Sequence, residues 1–243
     1  QQDLMTFIRL PWEIYQGDRY WVPPLIKDQL QKFSPNHPFR SHSEMIFFLA
    51  YQGEKVVGRI AGIIDHHYIE FHQEKLGFFG FFESVPDTEV AGTLLSRVAD
   101  WLKGHGMNKM AGPMNPSTND ECGLLVEGFD SSPCLMMPYN PRVYPSLIEG
   151  FGLRKKMDLY AYLLETPTFH LARLDRITER LKKKEPQVHI RPINLRRFGE
   201  ELKIVKEIYN EAWSKNWGFV PMTDEELDLT AKDLKPLVVS DLV

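Results

Sequence analysis

A chain of 243 residues, 43% hydrophobic and 26% charged, has the composition of an ordinary soluble globular protein and enough length to bury a full core. Its net charge of −4 supplies no overall field that would draw in nucleic acid or an anionic membrane. No apolar run approaches the roughly 18 residues of a membrane span, and Cys122 and Cys134 are too few and too far apart for a zinc site or a disulfide framework, so a cytoplasmic location and neither a nucleic-acid nor a membrane partner are expected.

In chain order, residues Leu4 to Tyr15 read as a helix, followed by the loop Trp21-Val22-Pro23-Pro24 and a short helix near Ile26 to Lys32. Met45 to Tyr51, Val56 to Asp65 and Leu76 to Glu83 read as successive strands, the first two joined by the polar turn Gln52-Gly53-Glu54-Lys55. Ser84-Val85-Pro86-Asp87 turns the chain, with Ser84 or Asp87 available as a helix cap. Val90, Ala91, Leu94, Leu95, Val98, Trp101 and Leu102 then recur on one helical face until Gly104-His105-Gly106 stops it. Met107 to Ala111 is a further strand, and a strand-turn-helix-strand unit of this kind builds a parallel pair with ligands at the carboxyl ends of its strands. After the polar loop Gly112 to Pro141, Arg142 to Gly150 reads as a short helix and Met157 to Leu164 as a last strand with Tyr160 and Tyr162 on one face. Thr168 to Lys184 reads as a connecting helix whose Lys182-Lys183-Lys184 forms a solvated, dipole-matched end.

The end of the chain echoes its beginning. Glu13-Ile14-Tyr15, Trp21-Val22-Pro23 and Asp28 return as Glu207-Ile208-Tyr209, Trp217-Gly218-Phe219-Val220-Pro221 and Asp224, with a strand expected at Val188 to Ile193 before the later copy. The expectation is a tandem of two similar units, 1–165 and 188–243, joined by a linker over 166–187. By analogy, a strand would precede Gln1 and the second unit would continue past Val243. Trp213, Trp217 and Phe219 are expected to anchor the later loop in a core or at an interface.

This order of elements resembles the GCN5-related N-acetyltransferase (GNAT) superfamily, and more closely its bacterial tandem-domain branch. The segments carrying the resemblance are Val57-Gly58-Arg59-Ile60-Ala61, Gly77 to Glu83, Gly112 to Asp120 and Asn216 to Pro221. It implies an α+β fold with a mixed central sheet flanked by helices, and an acyl-CoA-dependent N-acyltransferase that uses acetyl-CoA or another acyl-CoA. The acceptor implied is an amine of a small molecule or protein, and a homodimer is left open. By the same resemblance the pantetheine arm would run along Phe82, Glu83, Ser84 and Val85, while Thr88, Glu89, Val90 and Ala91 at the helix N-terminus would face the diphosphate. The superfamily's Arg/Gln-x-x-Gly-x-Gly/Ala loop aligns with Pro86, Glu89 and Ala91, of which only Ala91 fits. Pro86 has no N–H to offer, and Glu83, Asp87 and Glu89 gather negative charge at the turn.

Acyl transfer to an amine needs a base, oxyanion donors and an acid for the leaving thiolate. Glu83 at the strand's carboxyl end is the candidate base, with helix capping as its alternative role. The family's tyrosine acid would fall at Ile148; Tyr144, one helical turn earlier, or Tyr139 could take its place, and packing is the alternative for either. Asn115, Ser117, Asn119 and Asp120 concentrate polar groups where an acceptor would meet the thioester, although the same residues also build turns. Asp65, His66, His67 and His72 lack a recognised metal-ligand spacing, so no metal site is expected. The other reading of the chain is an inactive GNAT-like module that binds a ligand or protein. An aminoacyl-tRNA donor would need a basic stripe that the sequence lacks.

Overall fold

The computed structural model describes residues 2–163, 171–187 and 191–238. Helices α1 (Gln2–Ile14) and α2 (Ile26–Lys32) lead through a 3-10 turn, Pro38–Ser41, into strand β1 (Ser43–Gln52), which returns as β2 (Lys55–Asp65). Helix α3 (His66–His72), strand β3 (Leu76–Ser84), helix α4 (Thr88–Gly104) and strand β4 (Lys109–Ala111) follow. Among the described residues the sheet has four strands in the order β1-β2-β3-β4, antiparallel except for the parallel β3–β4 pair. The chain is therefore α+β with a mixed sheet flanked by helices.

Alternation along β2 explains the two-sided core. Ile60 and Ile64 face α4, where Leu94, Leu95, Val98 and Leu102 meet them, while Ala61 and Ile63 face α1 with Phe7 and Ile8. In β3 the alternation changes phase. Phe79 packs on the α4 side and Phe81 on the α1 side, because one extra residue is inserted opposite Ile60: Ala61 pairs with Gly80, but Arg59 pairs with Glu83. Phe81 carries the distortion at a φ of 51°. As a result Glu83 lies on the same face as Arg59.

Several expected elements come out differently. The loop after β4 contains a small hairpin, β5 (Met114–Asn115) with β6 (Glu121–Cys122), and helix α5 spans Tyr144–Gly150. Residues 157–163, expected as a strand, join no ladder; Tyr160 and Tyr162 are 77% and 81% exposed, and Leu164 lies outside the described residues. Alternating apolar residues make a strand only where a neighbouring edge accepts their hydrogen bonds. β2 ends at Asp65 as expected, but Asp65 then accepts a hydrogen bond from His67 N at 3.0 Å and starts α3, a helix not expected from the sequence.

Helix α6 (Leu171–Lys184) matches the described part of the connecting helix, whose residues 168–170 lie outside it. Of the strand expected at 188–193, residues 188–190 lie outside the described part and 191–193 are not strand. Helices α7 (Phe198–Trp213) and α8 (Asp224–Leu234) repeat the helix-loop-helix form of α1 and α2. Among the described residues, no helix is long and apolar enough to cross a membrane.

Candidate active site

The bulge sets up the site. With Glu83 and Arg59 as cross-strand partners on one face, the guanidinium Nη2 stands 3.7 Å from Glu83 Oε1, and both side chains are buried. Arg59 also donates from Nη1 to the Phe7 carbonyl at 2.6 Å and lies over the Phe7 ring. Two tyrosines complete the cluster. From α5, the Tyr144 hydroxyl donates to Glu83 Oε2 at 2.7 Å and accepts from Ser84 N at 2.9 Å. Just past α1, the Tyr15 hydroxyl stands 3.4 Å from Glu83 Oε1 and 3.2 Å from the Tyr139 carbonyl, its ring stacked on Trp21.

Burial pushes the Glu83 carboxyl pKa up, opposed by the Arg59 charge and by the hydrogen bonds from Tyr144 and Tyr15. Burial also raises both phenols, and the Glu83 charge raises them further. Burial lowers the Arg59 pKa, and the carboxylate works against that change. The arrangement is a buried carboxylate in contact with two protonated hydroxyls and one cation, able to take up a proton on one side and give one up on the other.

The backbone beside this cluster is held by side chains. β3 pairs with β4 only as far as Phe78 and Ala111. Beyond that point the Gly112 to Asn115 segment crosses β3 so closely that a Cβ on Gly80 would lie 1.7 Å from the Met114 carbonyl oxygen. Phe81 N donates to Asn115 Oδ1 at 2.6 Å, and Ser84 N is taken by Tyr144 as described. At the start of α4, Asp87 accepts from Glu89 N at 2.8 Å and Val90 N at 3.2 Å, and these bonds hold its carboxyl below the usual range. The N-terminal donors that a diphosphate would use are occupied by a carboxylate.

Of the residues singled out from sequence, Glu83 and Tyr144 meet, with Phe82 packed edge-on against the Tyr144 ring. Tyr139 reaches the cluster through its carbonyl, while its hydroxyl donates to Asp18 Oδ2 at 2.8 Å. Val85 N returns to the Val57 carbonyl, Ala91 is buried on the core face of α4, and Thr88 and Glu89 line a shallow depression beside Phe151. Ser117 Oγ donates to Asp120, which lies 3.6 Å from Lys32 Nζ. Asn119 donates to the Val220 carbonyl and accepts from the Tyr209 hydroxyl, so this part of the polar loop is tied to the C-terminal segment. His66 pairs with Glu44, His67 stacks on His42, and His72 reaches the Phe219 carbonyl. Among the described residues no group of three or more His, Cys, Asp or Glu could hold a metal.

Sequence reasoning missed Arg59, Tyr15 and the buried His42. Arg59 did leave a signal, as the lone cation in the apolar run Val56 to Asp65.

No protein-family model matches the chain, and no solved structure matches it. Two curated proteins are similar to it along its whole length. Protein YghO of Escherichia coli is 37% identical over 245 aligned residues, covering 100% of this chain and 62% of YghO. The bacterial ceramide synthase of Caulobacter vibrioides is 35% identical over 245 aligned residues, covering 99% of this chain and 63% of that protein. The chain thus spans about three-fifths of the length of each relative.

Proposed function

We propose that the chain carries the acyl-transfer site of an N-acyltransferase that joins the acyl group of an acyl-CoA to an amine. The observation that carries this reading is the buried Glu83 carboxylate, hydrogen-bonded to Tyr144 at the end of a bulged, half-open strand. The named relative supports the class: a ceramide is the amide of a long-chain amino alcohol, so a ceramide synthase forms an N-acyl bond. A long-chain amine is accordingly the acceptor to try first. In this reading the amine nitrogen attacks the thioester carbonyl carbon, the C–N bond forms and the C–S bond breaks. Glu83 accepts the amine's proton through a water. Tyr144 supplies the thiolate's proton, and Glu83 returns one to Tyr144. Arg59 and Tyr15 keep Glu83 ionised and in place. Tyr139 serves through its carbonyl, and Asn115, Ser117, Asn119 and Asp120 shape the acceptor side. We place this unit at 1–165, with 166–187 as the linker to a second, similar unit.

Asp87 does not fit a diphosphate seated on α4. That observation favours the second reading, a GNAT-like module that binds a ligand without transfer. One assay separates the two. The protein is incubated with an acyl-CoA or a shorter acyl-pantetheine and a long-chain amine, and amide is read by mass spectrometry alongside thiol release. Amide formation is expected, with Glu83→Gln slower by about 100-fold and Tyr144→Phe by about 10-fold or more while circular dichroism stays unchanged. Turnover should also decline as pH falls through the raised Glu83 pKa. If neither donor yields amide and CoA gives no heat in titration calorimetry, the binding-module reading replaces this one.

A further inference from the structure

Helix α6, Leu171–Lys184, has two unlike faces. Leu174, Ile177 and Leu181 fall at i, i+3 and i+7 and form one stripe, and they are 45%, 52% and 41% exposed. The rest of the described helix carries Arg176, Arg180, Lys182, Lys183 and Lys184 against Asp175 and Glu179. The Lys182–Glu179 pair at 3.3 Å is exposed and offsets little of that charge. The net charge of −4 conceals this feature, because within α6 the cations outnumber Asp175 and Glu179.

A stripe of large aliphatic side chains left in water, bordered by lysines and arginines, is the pattern of a helix that lies in a membrane interface. We propose that α6 docks on the surface of an anionic lipid bilayer, the leucine stripe sunk at the headgroup level and the cations over the lipid phosphates. The charge complementarity selects this occupant. Nucleic acid would use the cations but leave the stripe exposed, and an apolar protein groove would use the stripe but offer nothing to Arg180, Lys182, Lys183 and Lys184. The inference stands apart from the acyl-transfer reading and does not depend on it.

The test uses the full-length natural protein with vesicles of phosphatidylcholine containing about a third phosphatidylglycerol, compared with phosphatidylcholine alone. Co-sedimentation with the anionic vesicles is expected, weakening as salt rises. Joint substitution of Lys182→Glu, Lys183→Glu and Lys184→Glu should reduce the partition coefficient by about 100-fold. A Leu174→Trp probe should shift its emission to the blue when vesicles are added. Three results would overturn the proposal: no sedimentation at low salt, equal sedimentation of the charge-reversed protein, or retention on an oligonucleotide but not on vesicles. A large loss of melting temperature in Ile177→Asp would also overturn it, because the stripe would then be covered by another part of the protein.

Discussion

Arg59 is held by one carboxylate, one main-chain carbonyl and one aromatic face, and its Nε has no partner among the described residues. A buried ion pair of this kind contributes little against a well-packed apolar substitute, but removing one partner strands the other charge. Arg59→Met should therefore cost about 3–5 kcal/mol in urea unfolding. Adding Glu83→Gln should recover most of that loss, a coupling that a double-mutant cycle measures directly. Glu83 was legible in the sequence as the polar residue ending an apolar strand. Its partner was not, because the pairing of Arg59 with Glu83 depends on a bulge, and a bulge leaves no mark in a strand that is apolar on both faces.

Strand β3 and helix α4 were read almost to the residue, the first as a short, continuous apolar run rich in phenylalanine and the second by its period of 3.6. The polar loop was less legible: its β5–β6 hairpin has only two residues per strand and rests on the close approach of Met114 to Gly80. Residues 157–163 show the opposite failure, an alternating pattern that joins no ladder. At the α4 N-terminus the sequence warning became a contact, with Asp87 bonded to the donors a diphosphate would need. Asp87→Gly frees both N–H groups and removes the charge, so it should tighten CoA binding in titration calorimetry. Unchanged affinity would place the diphosphate away from this turn.

Across the whole molecule, the C-terminal segment is fastened to the first sheet by a buried imidazole. His42 Nδ1 lies 3.0 Å from Asp65 Oδ1, and Nε2 lies 3.1 Å from Glu226 Oε1 in the first turn of α8, whose capping box with Thr223 fixes the carboxylate. Burial opposes the imidazolium, but the two carboxylates outweigh it and raise its pKa to about 9. A group raised on folding stabilises fully below its unfolded pKa, near 6.5, and loses that contribution as pH climbs toward 9. Melting temperature should therefore fall across this window, and His42→Gln should flatten the fall. The repeated helix-loop-helix pattern announced this segment, and of the three expected anchors Phe219 is the buried one. Phe219 and Val220 are buried, whereas Trp213 and Trp217 are about half exposed, because the loop presents its backbone carbonyls and its small turn to α3 and the polar loop.

The open side of β3 has one more consequence. A strand whose ladder stops partway offers its remaining amides to any extended peptide, including a neighbouring copy of itself. Here Phe81 N and Ser84 N are stoppered by the Asn115 carboxamide and the Tyr144 hydroxyl, two side chains in place of a covering strand. The same stoppers that would have to yield to an incoming thioester guard the molecule against sticking to its own kind. Whatever loosens them for a ligand also exposes, for that interval, an edge prone to aggregation.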